Sequence, residues 1–391
     1  MNFQPTQLNA RVHTLDTIRG FSLLGILLVN MFGFYLPMPH ILDLSTWFTE
    51  ATDIIWHQIL DIYVQGSFYP LFSMLFGYGL AMQFMKAQAT GRDFYRFASK
   101  RLLILFIIGM IHALFIWWGD ILAMYAFCGF FVLVFIRLKS GWLLSIGLAL
   151  NALMHVFYLG ILALAGALMI GMDEIAIDIT MLQNAITAYG TGNWLDAFMQ
   201  RLHDLKIQMG IGMWFSALFT ILPYMLIGAA AAKWRLLERA KELKGLWISF
   251  AVLFVAIGII LKSLPINLGK IYLYDYIQVS IGGPILSVGY IAVFVVLSYI
   301  PVMNKVFSPL AKAGRMSMTL YIMQSIVCTI IFYNFGFGLY GEIDVPTAVY
   351  IAFAIFAIQV ILAELWLSKF TQGPLEAAVK RLTYGKMYSE K

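Results

Sequence analysis

Three apolar segments of the sequence each carry an arginine at one end and a hydrogen-bonding side chain nine to eleven residues further on. The pairs are Arg19 with Asn30, Arg101 with His112, and Arg315 with Gln324. In a helix, this spacing separates the two members of a pair by about 14 to 17 Å. Arginine binds phosphate through a bidentate fork, histidine acts as a base near neutral pH, and an amide stabilises a developing oxyanion. The pattern predicts an anion-binding end and a polar, reactive layer deeper in the same helices.

Asp120 and Trp117 follow His112 within "WWGDILAMYA", which reads as a tight turn between two apolar segments. Asp120 is predicted either to bind a substrate or to cap the next helix. A continuous helix would place Asp120 about 12 Å from His112, so no hydrogen bond between the two is expected. Trp117 is typical of the aromatic belt at a membrane interface. With Gln324, these two residues are the candidates for contact with a substrate.

The composition requires these segments to be membrane helices. The chain has 391 residues, of which 61% are hydrophobic and 12% charged, whereas soluble domains carry about 25% charged residues. Apolar runs of about 20 residues recur along the whole chain, which is the length that crosses a bilayer. The sequence therefore predicts an all-α, polytopic integral membrane protein that forms a single transmembrane domain. The ten predicted spans are 17–36, 68–86, 102–118, 121–136, 142–170, 211–232, 246–262, 277–299, 316–336 and 346–368.

Charge alternates between successive loops. Residues 86–101 carry five Lys and Arg, whereas residues 37–66 carry acids and no Lys or Arg. Because positive residues gather in cytoplasmic loops, both termini are predicted to be cytoplasmic. Residues 372–391 are predicted to end the chain as a cytoplasmic tail helix. The net charge of +6 is thus assigned to membrane orientation, with the lipid bilayer as partner and no nucleic-acid binding.

Each candidate also has a structural alternative. Arginines at inner helix ends follow from orientation alone, and Asp16, three residues before Arg19, would either position that arginine or cap its helix. A buried Asn or Gln often joins helices by hydrogen bonding. The other histidines are expected to be less important: His155 lies on an apolar segment, and the rest are expected to be solvated, namely His13, His40, His57 and His203. No metal site is predicted, no cleavable signal peptide is expected, and Cys128 and Cys328 are expected to be buried thiols.

Five motifs, in order, resemble the YeiB-like family of bacterial inner-membrane proteins, which has been described as a domain of unknown function. They are "LDTIRGFSLLGILLVN", "LFSMLFGYGLAMQ", "RLLILFIIGMIHALFIWWGDILAMYA", "GRMSMTLYIMQSI" and "GPLEAAVKRLTYGK". The resemblance covers nearly the whole chain. It implies a multi-pass protein of the bacterial inner, cytoplasmic membrane and carries little information about activity.

The first motif also resembles a wider group of membrane acyltransferases that includes the heparan-alpha-glucosaminide N-acetyltransferases. Asp16, Arg19, Gly20 and Asn30 match the Asp–x–x–Arg–Gly start and the later Asn of that group. The sugar O-acyltransferases of the same group usually carry His where this chain has Asn30. The N-acetyltransferases carry an active histidine soon after the first span. His40 is the nearest residue here, but its surroundings do not match, so His112 is preferred because of its depth.

The resemblance implies acyl transfer from cytosolic acyl-coenzyme A, such as acetyl-coenzyme A, to an acceptor reached across the membrane. In this hypothesis Arg19, Arg101 and Arg315 bind the coenzyme phosphates and Asp16 positions Arg19. His112 is the base or transient acyl acceptor, and Asn30 polarises the reacting carbonyl. The acceptor is an envelope glycan, a lipid or a small molecule. Acyl-coenzyme A is then a co-substrate, and no cofactor is permanently bound.

Two other hypotheses stay open at this stage. The same polar path would serve a transporter or exporter of a small anionic or amphipathic molecule. Alternatively, the polar groups only join helices, and the protein has a structural or partner-binding role, with homo-oligomers as one outcome.

Overall fold

The computed structural model describes the chain over residues 13–40, 47–48, 50–167 and 179–384. Two parts of the sequence-based prediction lie outside these residues. They are positions 168–170 of the fifth predicted span and positions 385–391 of the predicted tail helix.

The described residues form helices and contain no strand. The helices, in chain order, are α1 (His13–Tyr35), α2 (Ala51–Tyr63), α3 (Phe68–Ala89), α4 (Phe94–Phe115), α5 (Leu122–Phe135), α6 (Ser140–Ala167), α7 (Ile179–Ile186), α8 (Trp194–Gln208), α9 (Ile211–Thr220), α10 (Leu222–Lys233), α11 (Lys244–Lys262), α12 (Leu264–Leu268), α13 (Tyr272–Tyr276), α14 (Gly283–Leu297), α15 (Pro301–Val306), α16 (Ser308–Arg315), α17 (Ser317–Phe332), α18 (Val345–Lys369) and α19 (Pro374–Tyr384). A 3-10 turn (Met38–His40) and two π-helical turns (Thr187–Thr191 and Ile277–Gly282) connect some of them.

Eight helices among the described residues are long and apolar enough to cross a bilayer, and each overlaps one of the predicted spans. They are His13–Tyr35, Ala51–Ala89, Phe94–Phe115, Ser140–Leu164, Ile211–Lys233, Lys244–Lys262, Tyr272–Leu297 and Val345–Lys369. The two remaining predicted spans coincide with α5, which is a shorter apolar helix, and with α16 and α17, which meet at a bend of 83°. The prediction of an all-α, polytopic membrane protein is confirmed.

The bend between α16 and α17 places a charged residue at an elbow instead of at the end of a straight span. Arg315 is the last residue of α16, and α17 begins two residues later at Ser317. The elbow leaves the first backbone N–H groups of α17 without intrahelical partners, as at every helix start. Arg315 therefore directly precedes these N–H groups in the chain.

Glycine allows α1 and α16 to approach each other closely. A Cβ atom built on Gly20 would lie 2.0 Å from the carbonyl oxygen of Leu310, and one built on Gly314 would lie 1.9 Å from that of Asp16. Small residues allow this kind of backbone contact between membrane helices. Because Asp16 lies on α1 and Arg315 directly follows Gly314, the contact also fixes where the charged groups of the two helices lie.

We predict that Gly314→Ala destabilises the protein by about 1 to 3 kcal/mol, because the added methyl group must displace backbone atoms of α1. Thermal unfolding of the purified protein in detergent would show a lowered midpoint. Gly160→Ala on α6 is the matched control, since a Cβ there meets nothing within 4 Å. An unchanged midpoint for Gly314→Ala would contradict the proposed tight contact.

Candidate functional site

The predicted charged residues Asp16, Arg19, Arg101 and Arg315 all line one cavity of about 580 Å³. This cavity, called the inner cavity below, is bounded mainly by α1, α3, α4, α17 and α19. Three further charged residues that the sequence analysis did not select also line it: Lys86, Glu376 and Lys380. Five cationic and two acidic side chains give this lining a formal charge of +3 (5 − 2), which suits a ligand with several negative charges.

The arginines of the inner cavity are held by their own neighbours. The Nη1 atom of Arg19 lies 3.1 Å from Oδ1 of Asp16, one helical turn earlier. The Nη2 atom of Arg315 donates to the carbonyl oxygen of Thr371 at 2.7 Å. These bonds restrict both side chains, so less rotational freedom would be lost when a ligand binds.

The tail helix α19 forms one wall of the inner cavity. Its Glu376 carboxylate accepts hydrogen bonds from the backbone N–H groups of Met318 (2.8 Å) and Thr319 (3.2 Å), in the first turn of α17, and from the Thr319 hydroxyl (2.5 Å). An acid at a helix start satisfies unpaired N–H groups and interacts favourably with the helix dipole. Burial raises the pKa of Glu376, while these hydrogen bonds oppose that rise.

We predict that Glu376→Ala releases α19 from the start of α17, because the N–H groups of Met318 and Thr319 lose their acceptor. Limited trypsin digestion in detergent should then cut faster at Lys380 and Arg381. Glu376→Gln is the matched control, because its amide oxygen still accepts from the same N–H groups. Equal cleavage rates for wild type and Glu376→Ala would show that Glu376 does not hold the tail helix.

The buried histidine of α4 is bonded to Asp120, which contradicts the expectation of about 12 Å between them. His112 Nδ1 lies 2.8 Å from Asp120 Oδ2, and the two side chains are 1% and 0% exposed. The expectation was wrong because α4 ends at Phe115 and not near residue 118, so the chain folds back over residues 116–121. Asp120 Oδ1 accepts from the backbone N–H of Ala123 at 2.7 Å and so also caps the first turn of α5.

The surroundings of the 116–121 turn hold this pair in place. A Cβ on Gly109 would lie 2.6 Å from Asp120 Oδ1, so only glycine leaves room there for the carboxylate. The hydroxyl of Tyr321 on α17 accepts from the backbone N–H of Ile121 at 3.2 Å, and the Tyr321 ring lies 5.3 Å from the ring of His112. Tyr321 also lines the inner cavity, so its ring neighbours both that cavity and the histidine.

A second cavity of about 190 Å³, called the outer cavity below, is lined by Asp120 of the His112–Asp120 pair. It is lined by Asn30 and Asp120 together with polar groups of α8 and α9, namely Gln208, Ser216 and Thr220. Ile121 lines both cavities. The structure thus places Asn30 and Asp120 together in the outer cavity, whereas the sequence predicts Asn30 near the middle of the membrane, on the same polar path as Arg19.

Trp117 and Gln324, two candidates for substrate contact, line neither of these two cavities. Trp117 is 2% exposed and donates from Nε1 to the carbonyl oxygen of Gly33 at 3.1 Å, so it is a buried packing residue and not a belt aromatic. Gln324 donates from Nε2 to Gln359 Oε1 at 3.0 Å and to the carbonyl oxygen of Leu23 at 3.4 Å. These contacts join α17 to α18 and α1, which fits the structural alternative for Gln324.

Two other features of the site were missed or misjudged in the sequence. Tyr321 sits in an apolar helix with no local sign of a role, and only the fold brings it against His112. His40 was expected to be solvated, but its side chain is 4% exposed and bonded to Asp204 at 2.9 Å. The segment "GPLEAAVKRLTYGK" did carry a usable signal for Glu376 and Lys380. An amphipathic tail helix must cover its apolar face against the protein, and this brings the charged residues of the same helix close to the site.

The fold and the site together define a multi-pass α-helical membrane protein with a cationic cavity, a smaller polar cavity and a buried His–Asp pair near the boundary of the two. The chain belongs to the YeiB-like family. It is 34% identical to the protein YxaH of Bacillus subtilis strain 168, over 98% of this chain and 96% of that one. It is 28% identical to YeiB of Escherichia coli strain K12, over 95% of both chains. Residues 231–386 match the family model described as "Protein of unknown function (DUF418)".

Proposed function

We propose that this protein is an acyltransferase of the bacterial inner membrane. It would take an acyl group from cytosolic acyl-coenzyme A at the inner cavity and pass it to a hydroxyl or amine acceptor at the outer cavity. The acceptor would be an envelope glycan, a lipid or a small molecule. The observation that carries the proposal is the His112–Asp120 pair near the boundary of the two cavities. Asp120 holds His112 Nδ1, and His112 Nε2 is a buried atom with no hydrogen-bond partner in the described part of the chain.

The inner cavity fits a ligand with phosphates at one end and an apolar arm at the other. Arg19, Arg101 and Arg315 would bind the phosphates, because arginine matches their geometry with two parallel hydrogen bonds. The deeper lining is apolar and includes Phe72 and Leu122. That order of charge and then apolar surface matches the phosphates, the pantetheine arm and the acyl group of an acyl-coenzyme A.

The proposed step transfers one proton and one acyl group. With Asp120 accepting the Nδ1 proton of His112, Nε2 is free to take the proton of the acceptor's O–H or N–H. The acceptor oxygen or nitrogen then forms a bond to the thioester carbonyl carbon, the C–S bond breaks, and the proton passes from His112 to the departing sulfur. The products are an ester or an amide and coenzyme A, with no oxidant or reductant needed.

Access to His112 requires movement of Tyr321. His112 itself is not among the described residues that line either cavity, and the ring of Tyr321, which lines the inner one, packs against it. Asn30 lines the outer cavity beside Asp120, so in this proposal its amide meets the reacting carbonyl from the acceptor side. Rotation of Tyr321 would open the path of the acyl group to both residues.

A transporter or exporter of a small anionic molecule is the second candidate function. Two cavities separated by Ile121 and Tyr321 also match a closed state in which a central barrier divides the two sides. In a transporter, the His112–Asp120 pair would act as a polar barrier or a proton carrier, and no thioester bond would break.

Calorimetric titration of acetyl-coenzyme A into the purified protein in detergent tests the donor site. We predict micromolar binding for wild type and a loss of at least tenfold for Arg19→Ala and Arg101→Ala, because each removes a phosphate contact. His112→Ala should keep the affinity within about threefold. His155→Ala is the matched control, since His155 lies on α6 and bonds to Asn151 and Tyr276. If neither acetyl-coenzyme A nor a longer acyl-coenzyme A bound to the wild type, the assignment of acyl-coenzyme A as the donor would be wrong.

Transfer itself can be followed in proteoliposomes made from bacterial envelope lipid and supplied with acetyl-coenzyme A labelled on the acetyl group. We predict release of free thiol together with label in the lipid or polar fraction. Because a general base typically contributes 10²- to 10⁴-fold, His112→Gln should lower the rate by at least 10². Label that collects inside the vesicles as intact acetyl-coenzyme A would instead support transport.

A further inference from the structure

A cluster of metal-binding side chains lies apart from the two cavities described above, where the chain after α1 meets α8. His40 Nε2 lies 2.9 Å from Asp204 Oδ1, and His203 Nδ1 lies 3.9 Å from the same oxygen. The three ligand atoms all lie within 4.8 Å of one another. Charge alternation in the sequence assigns both segments to the outer side of the membrane.

The separations between the ligand atoms of this cluster lie on either side of the separation expected for two ligands of one bound ion. Zinc binds imidazole nitrogen at 2.0–2.1 Å and carboxylate oxygen at 2.0–2.2 Å, so neighbouring ligands around a tetrahedral ion lie about 3.4 Å apart. A change of about 0.5 Å in each of the two measured distances, 2.9 and 3.9 Å, would bring the atoms to that separation. The rings of His40 and His203 are stacked at 5.7 Å with an angle of 25°.

Within the cluster, His203 Nδ1 makes no hydrogen bond to a described residue, whereas the Asp204 carboxylate is held by several hydrogen bonds. His203 Nδ1 is a buried atom without a hydrogen-bond partner among the described residues, while the His203 side chain is 43% exposed and offers an entry path. The Asp204 carboxylate is 1% exposed. Its Oδ2 accepts from the hydroxyl of Tyr189 at 2.7 Å, and its Oδ1 accepts from Nε2 of Gln200 at 2.9 Å. Hydrogen bonds of this kind orient the ligands of metal sites.

The only guanidinium next to Asp204 along α8 is directed elsewhere. Arg201 is buried, and its Nη1 donates to the carbonyl oxygens of Phe115 (2.9 Å) and Leu114 (3.4 Å) at the end of α4. Its charge is thus placed at the negative end of a helix dipole. Among the described contacts, Arg201 therefore does not pair with Asp204, and a cation would displace the hydrogen bonds that Asp204 Oδ1 makes with His40 and Gln200.

We propose that His40, His203 and Asp204 form a site for a divalent metal ion of the zinc class. Two imidazoles and one carboxylate are three ligands of a tetrahedral ion, and the fourth position is left to water or another small ligand. The ion would replace the hydrogen bond between His40 and Asp204. The site does not depend on the proposed acyl transfer. It lies on the same helix as Gln208 of the outer cavity, one helical turn or about 6 Å along α8 from Asp204.

The test is a calorimetric titration of ZnCl₂ into protein that carries no histidine tag and has been stripped with a chelator in detergent. We expect one ion per chain and a dissociation constant at least tenfold larger for His203→Ala. Tyr189→Phe should weaken binding by about tenfold, as loss of an outer-shell hydrogen bond does. His57→Ala is the matched control. His57 bonds to Asp61 at 3.0 Å but lies outside the only three-ligand group among the described residues.

Cobalt substitution gives a second readout that is independent of stability. Co²⁺ in a tetrahedral site of this kind should give visible absorption bands, and His203→Ala should lose them while keeping the wild-type melting temperature without metal. No stoichiometric zinc uptake by the wild type would overturn the proposal. Equal zinc affinity in wild type and His203→Ala would overturn it too, since the cluster would then be a hydrogen-bonded link between α8 and the end of α1. Neither result would bear on acetyl-coenzyme A binding.

Discussion

The hydrogen bond between His112 and Asp120 is the constraint on which the centre of this protein depends. Two ionisable side chains in a membrane domain are costly to bury, and each is tolerated because the other satisfies it. The bond needs a chain reversal over residues 116–121, a glycine at position 109 to leave space for the carboxylate, and Tyr321 to hold the turn from α17. The packing of α4, α5 and α17 at this point follows from those needs.

The two cavities differ in the charge of their linings, so they favour different kinds of ligand. The inner cavity is lined by five cationic side chains drawn from α1, α3, α4, α16 and α19. The outer cavity is smaller, and among the described residues of its lining Asp120 is the only ionisable one. Close contact of α1 with α16 and docking of α19 on α17 assemble the cationic wall from segments that lie far apart in the sequence. The lining of the inner cavity thus favours a polyanion, and that of the outer cavity favours a neutral or cationic molecule.

The helical period and the distribution of charge were enough to predict much of this architecture. Arg19, Arg101 and Arg315, which the sequence predicts at equivalent ends of three helices, line one cavity. The prediction failed where the outcome depended on where a helix ends or on a contact distant in sequence. The His112–Asp120 bond was excluded because α4 was assumed to continue past Phe115. His40 was assigned to solvent because Asp204, its partner, is 164 residues away. Trp117 was predicted at the membrane interface because aromatic residues at helix ends commonly lie there. The local sequence does not show that α1 packs over this side chain.

The proposed acyl transfer requires a donor that enters from the cationic cavity and reaches the His–Asp pair. Electron cryo-microscopy of the detergent-purified protein with acetyl-coenzyme A tests this most directly. We predict density with the phosphates against Arg19 and Arg101, the Tyr321 ring rotated away, and the thioester carbonyl within about 3.5 Å of His112 Nε2, as a near-attack geometry requires. Density for the coenzyme outside the inner cavity, or inside it with the thioester still separated from His112 by an unmoved Tyr321, would contradict the account.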